Sequence, residues 1–298
     1  MSVSQYYPFY GSKNRIRMGL SPISASEWIE YEPDFVDRIE EKHSLIHKIR
    51  DRVIQSTTGS ESAQNELLAN ILSFIQQYHN DVFAVNENSI IRCSDNMYYD
   101  FANFKEHPLE LISYLVPDDF CLLEKCDDDY RLVAASVCAP TYWELTEKIG
   151  HPMKEVHAPI AQLEERIGRM IRHFFSGLTP DDYYQRSNGF LLPTSELALF
   201  KDRDDSADDI SDLNVSNIMN KLYLRCERQS FRKLPQTETI AFGIKIYVSP
   251  LNIVEKHSSI AEDLILSIDA MSEDQKQLFG IHFYENILRE YLHSVLNQ

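Results

Sequence analysis

The stretch FCLLEKCDDDYRLVAASVC, Phe120 to Cys138, sets the strongest limit on the fold. Two apolar runs of strand length flank an acidic turn at Asp127–Asp129, so the chain returns on itself as a hairpin. VFAVNENSIIRC, Val82 to Cys93, reads as a second hairpin around Asn86–Asn88. Two further strand runs, LYLRCERQSF (Leu222–Phe231) and ETIAFGIKIYVSPL (Glu238–Leu251), follow one another late in the chain. Strands grouped in this way, without regular βαβ alternation, specify an α+β fold with an antiparallel sheet. Five strands are expected in that sheet, with helices before, between and after them.

Residues 1–80 read as an N-terminal helical extension packed on a core of residues 81–298. Ser24 and Glu27 have capping-box spacing ahead of Trp28. Leu67, Leu68, Ile71, Leu72 and Ile75 recur at helical spacing, and TTGSES, Thr57–Ser62, separates two helices. In LEERIGRMIRHFFSGL, the residues Leu163, Ile167, Met170, Ile171, Phe174, Phe175 and Leu178 form one apolar stripe. Closing helices are expected near Ile260–Ile268 and over Gln275–Leu296, the last with Phe279, Phe283, Ile287, Leu288, Tyr291, Leu292 and Leu296 on its apolar face. KDRDDSADDISDL, Lys201–Leu213, reads as a solvated loop or a helix start, with a metal site as the minority reading.

A net charge of −17 argues against nonspecific nucleic-acid binding and against an anionic membrane surface. No apolar run approaches the ~20 residues of a membrane helix, and no signal-peptide pattern opens the chain, so a cytoplasmic location is expected. The five cysteines include no C-x-x-C pair, and three lie in apolar, strand-like runs. They read as reduced thiols, with no zinc or iron–sulfur spacing. The sequence holds no G-x-G-x-x-G, P-loop, G-x-S-x-G or H-E-x-x-H motif. Nicotinamide, nucleoside-triphosphate and simple hydrolase chemistry therefore lose their usual support.

Three stretches remain as candidate sites. In YLRCERQSFRKLP, strand alternation puts Arg225, Glu227 and Gln229 on one face and Cys226, Arg228 and Ser230 on the other. The plain reading is an edge strand with a solvated face and a structural Arg–Glu pair; the functional one is an anion-binding cleft. In YYQRSNGF, Arg186 and Asn188 are candidate polar contacts, although Asn188–Gly189 reads locally as a turn. EKIGHPMKEVHAPI, Glu147–Ile160, carries His151 and His157, each close to a proline. A surface or hydrogen-bonded imidazole is the ordinary state for either. His157 is the better ligand candidate, because Val156, Ala158 and Ile160 are apolar and an imidazole among them stays neutral. Heme iron is held by such a histidine in many proteins. His151, at a turn between Gly150 and Pro152, is the runner-up.

These stretches resemble the alpha subunit of heme-dependent oxidative N-demethylase and its relatives. The resemblance is carried by Arg17–Phe35, Val116–Lys125, Leu132–Ile160, QRSNGF and Leu224–Leu251, in family order over nearly the whole chain. It implies a PAS-like heme domain with a five-stranded sheet, binding heme b. It also implies O2-dependent demethylation of a small methylated amine such as dimethylamine, with formaldehyde released. NADPH, FMN and a [2Fe–2S] cluster are implied on a partner reductase rather than on this chain. His157 falls on the family's proximal iron ligand. Arg186 and Asn188 fall on a cofactor-binding motif, and Arg225, Glu227 and Arg228 on a polar distal lining. Two positions depart from the pattern: the family usually has Arg in place of His151 and Trp in place of Gly189. A heme-PAS-like gas or redox sensor without turnover, and a heme-free paralogue, are the alternatives to the enzyme.

Overall fold

A computed structural model describes residues 18–158, 164–202, 210–278 and 280–297, apart from the side chains of Arg166, Asp274 and Leu278. Pro159, Ile160, Leu163, Phe279 and most of the aspartate run at Lys201–Leu213 lie outside the described residues, as does Arg17. The described elements begin with β1 (Ser21–Pro22), α1 (Phe35–Val53), β2 (Ile54–Ser56) and α2 (Glu61–Tyr78). A small hairpin sheet follows: β3 (Phe83–Val85), β4 (Ser89–Arg92) and β5 (Tyr98–Asp100). Then come α3 (Pro108–Leu115) and the hairpin β6 (Asp119–Cys126) and β7 (Asp129–Ser136). Both predicted hairpins are present. The acidic turn of the second places Asp127 at φ +46, the left-handed conformation that Asp tolerates better than most residues.

The main sheet has seven antiparallel strands rather than five, in the order β1-β8-β9-β10-β6-β7-β2. Its remaining strands are β8 (Tyr183–Leu192), β9 (Tyr223–Lys233) and β10 (Ile240–Pro250). The extra edges, β1 and β2, are two and three residues long, too short to show any alternation. Five long strands form the body, running second, first, fifth, fourth and third in chain order from the β7 side. Asn188 and Gly189 lie inside ten-residue β8 and make no turn. Pairing along the whole of β9 overrides their local preference.

The N-terminal helices and the C-terminal helices share one face of this sheet. Trp28, Ile46, Leu67, Ile71 and Phe74 pack with Phe120, Leu122 and Ala241. Beyond them, Leu224, Cys226 and Tyr247 pack under α8 (Ser258–Asp269) and α10 (Glu285–Leu296). The capping-box residues are bonded as read, Ser24 N donating to Glu27 at 2.8 Å, but they open a single 3-10 turn. The closing helix is also broken. α9 (Glu273–Leu278) ends before Gly280 at φ +69, and Phe283 between α9 and α10 is 69% exposed. Its apolar face starts only within α10, at Leu288, Tyr291 and Leu292. Among the described residues, no helix is long and apolar enough to cross a membrane.

The other face carries Cys121, Leu123, Leu132, Phe231 and Ile240. It is covered by α4 (Met153–Val156) and α5 (Arg169–Gly177), the latter preceded by a π-helical turn at Glu164–Gly168. Phe174 and Phe175 of α5 meet the Phe231 ring at 5.7 and 5.9 Å, and Phe231 stacks on Phe242 at 4.8 Å. Ile167, Phe175 and Leu178 are buried as the stripe predicted, whereas Met170 is exposed.

Candidate functional site

His157 is placed by a chain of local constraints. Gly150, at φ +80, hydrogen-bonds through its N–H to Leu132 O at 2.7 Å, and Leu132 N returns a bond to His151 O at 3.1 Å. That pairing ties the segment to β7. Pro152, at ψ 153, then starts α4, one turn long, and Met153 is buried in the core below. The buried Asp129 accepts the N–H of Lys154 at 3.0 Å, taking up one of the donors that the first turn leaves open. Lys148 donates to Val156 O at 3.1 Å at the other end. His157 is the C-terminal cap, its N–H bonded to Met153 O at 2.9 Å.

The His157 ring is half-buried, and its side chain makes no hydrogen bond among the described residues. Burial pushes its pKa below the ordinary histidine value, so the imidazole is neutral at neutral pH with a lone pair to give. Glu164 and Asp129 act in the other direction, while Arg186 and Lys148 add to the lowering. Asp129 Oδ1 is buried and has no hydrogen-bond partner among the described residues. His151 differs in exposure and in partner. Its side chain is 53% exposed, and Nδ1 lies 2.9 Å from Glu155.

Arg186 belongs to the sheet face that α4 and α5 cover. It lies across from Gln229, and Asn188 lies across from Glu227. Ile244 and Ile246 continue those two rows on β10. The result is a polar strip on β8 and β9 beside an aliphatic strip on β10. Arg186 donates to Asn188 Oδ1 at 3.1 Å. Gln229 donates to Glu227 at 3.1 Å, and Thr141 donates to the other Glu227 oxygen at 2.8 Å.

β9 is a central strand, between β8 and β10, and not the edge strand of the plain reading. Its two arginines are almost fully enclosed, Arg225 1% and Arg228 0% exposed. Arg225 donates to Thr141 Oγ1 at 3.0 Å, to Glu196 O at 3.1 Å, to Ala139 O at 2.9 Å and to Leu197 O at 3.0 Å. Carbonyls of two loops, rather than a carboxylate, hold its guanidinium. Alternation puts Arg228 on the opposite face, away from Glu227. There it donates to Gln185 at 2.8 Å, to Trp28 O at 3.1 Å and to Glu27 O. The structure therefore groups Arg225, Glu227, Arg186 and Asn188 on one face and separates Arg228 from them. Gly189 also falls on the Arg228 face, opposite Cys226 and beneath the C-terminal helices. The departure from tryptophan is thus remote from His157.

Arg228 belongs instead to a buried row of charge. Lys245 donates to Glu30 O at 2.8 Å, Lys42 to Asp118 O at 2.6 Å, and Tyr247 to the Glu30 carboxylate. Lys245 and Tyr247, with Arg228, strap the segment before α1 across the sheet, and Lys42 ties α1 itself to the residue before β6. Asp118 is 1% exposed, and neither carboxylate oxygen has a hydrogen-bond partner among the described residues. Burial pushes it up to about 6, against the pull of Lys245, Arg228 and Lys42. Sequence reading missed Thr141, Asp118 and the capping role of Asp129. Asp129 was visible only as part of an acidic turn, and nothing in the order of residues marks the other two.

Fold and site together define an α+β protein whose antiparallel sheet carries a half-polar, half-aliphatic face, with a desolvated histidine, His157, on a turn over that face. Residues 19–289 match the family model described as "Haem-dependent oxidative N-demethylase, alpha subunit-like". The chain belongs to that family.

Proposed function

We propose that this chain is the heme-binding subunit of a cytoplasmic oxidative N-demethylase acting on a small methylated amine such as dimethylamine, with formaldehyde as a product. Family membership supports the heme and the reaction class, and the alpha-subunit description supports partner subunits. We place NADPH, FMN and a [2Fe–2S] cluster on a partner reductase. The order of the five long strands supports the PAS-like reading of the sheet.

One observation carries the proposal: a half-buried, neutral imidazole without a hydrogen bond among the described residues, on a turn fixed at both ends. The donor set fits heme b. His157 offers one nitrogen to the iron. The Asp129 oxygen left unpaired is suited to accept the N–H of the other, as carboxylates do for many metal-bound histidines. Ile244 and Phe174, partly buried on that face, supply apolar surface for the macrocycle, and Arg186 supplies a cation for a propionate. When bound, heme supplies the O2 and electron chemistry.

The chain's own residues then bind, orient and exclude water. Glu227, held as an acceptor by Thr141 and Gln229, is the carboxylate of the polar strip and receives the ammonium form of the amine. Asn188, across from it, adds an amide that both donates and accepts. Arg225 fixes the two loops beside the strip, and Arg228 fixes the N-terminal strap behind it.

The reading is tested by supplying heme and a surrogate reductant to the purified chain and measuring formaldehyde released from dimethylamine. Amine- and O2-dependent formaldehyde is expected. A heme-loaded protein that binds gas but releases none would favour a sensor.

A further inference from the structure

Thr141 is the meeting point of two charged groups. Arg225 Nε donates to its hydroxyl at 3.0 Å, and the hydroxyl lies 2.8 Å from Glu227 Oε1. A guanidinium N–H can only donate, so it occupies a lone pair of the threonine oxygen. The single hydroxyl proton is then committed to Glu227. The bond order Arg225 to Thr141 to Glu227 has one direction, and it holds Glu227 as an acceptor.

The backbone around Thr141 is built to keep it there. Tyr142, the next residue, sits at φ +58, a left-handed conformation that is costly for a non-glycine residue. Tyr142 N donates to Leu199 O at 2.6 Å, and Leu199 N to Pro140 O at 3.0 Å. Arg225 clamps the same two loops through Ala139 O, Glu196 O and Leu197 O. The loop thus reaches the strip from outside the sheet and ends in one hydroxyl on one carboxylate.

We propose that Thr141 is a positioning residue that aims the Glu227 carboxylate at a protonated small amine. The amine half of this inference rests on the proposed function; the bond relay does not. Without the hydroxyl, Gln229 would be the donor left to Glu227 among the described residues, and the carboxylate could turn about its side-chain torsions.

The first test uses the full chain without heme, reading the nitrogen-15 signal of Arg225 Nε. Glu227→Gln is expected to shift this signal through Thr141, and to leave it unmoved in a Thr141→Val background. No shift from Glu227→Gln in the otherwise native chain overturns the relay, and so does an equal shift in both backgrounds. The second test uses heme-loaded protein and dimethylammonium chloride, with affinity read from the visible spectrum. Thr141→Val is expected to weaken binding about tenfold, the loss of one charge-assisted hydrogen bond. Thr141→Ser is expected to restore it, and Thr141→Val is expected to add nothing to Glu227→Gln. Unchanged affinity in Thr141→Val overturns the positioning role. If the chain takes up no heme, the proposed function fails, and the first test alone decides the relay.

Discussion

His151 Nδ1 and the Glu155 carboxylate lie 2.9 Å apart across one helical turn, on the exposed side of α4. Two residues beyond Glu155, His157 has no such partner among the described residues and is desolvated. The pH dependence follows from the sign of the shift. A histidine held below its ordinary value stays neutral in the fold when an unfolded one would begin to protonate. Heme ligation by His157 should therefore survive mild acid, through the range where a free imidazole near 6.5 titrates. A spectral titration that loses the ligand at the ordinary histidine value would contradict the assignment.

Asp129 is bonded to the α4 turn that carries His157. One oxygen caps Lys154 N at 3.0 Å, and the other is buried without a partner among the described residues. Asp129→Asn keeps an oxygen for the cap and removes the charge. Heme affinity should fall roughly 10–100-fold, as for other second partners of metal-bound histidines. Heme transfer to apomyoglobin measures this, and an unchanged transfer rate would show that Asp129 serves the turn alone.

Arg225→Met leaves the carbonyls of Ala139, Glu196 and Leu197 without their buried donor. The expected loss is about 3 kcal/mol, from unsatisfied buried groups. Arg225→Lys keeps a charge but not the fork, and should fall between. Urea unfolding checks both. A loss within ~0.5 kcal/mol for Arg225→Met would mean that the loops stand without the clamp.

Asp118 titrates near 6 in the fold, against 3.8 for the free side chain. The folded state then holds the extra proton between about pH 4 and pH 6, so acidification through that window stabilises the fold. A shift of about two units corresponds to on the order of 3 kcal/mol. Relative to Asp118→Asn, the native chain should therefore gain stability between roughly pH 8 and roughly pH 4.5. Urea midpoints at both values test this; a constant difference would contradict it.

The parts of the fold that were legible in the sequence are those with strong local period. The Phe120–Cys138 hairpin and α2 follow from alternation and from helical spacing that long-range packing reinforces. What tertiary pairing decides was not legible. Ser21–Pro22 and Ile54–Ser56 are strands only because β8 and β7 offer free edges. Asn188–Gly189 prefers a turn, and β9 holds it extended. At the site, the alternation of β9 already separated Arg225 and Glu227 from Arg228. The plain reading of β9 as a solvated edge strand is overturned by its central place in the sheet, where both arginines are enclosed. The partners of that charge were not legible, because backbone carbonyls of distant loops carry no mark in the sequence. The ranking of His157 over His151 followed from its apolar neighbours; in the fold His157 is half-buried and His151 is exposed.

The central claim is that His157 holds the iron of a heme. The visible spectrum of the protein purified with heme supplied, taken for the native chain, His157→Ala and His151→Ala, tests it most directly. The account predicts a Soret band in the native chain, a lost or shifted band in His157→Ala and a native spectrum in His151→Ala. No Soret band in the native chain, or a band altered by His151→Ala and not by His157→Ala, would contradict it.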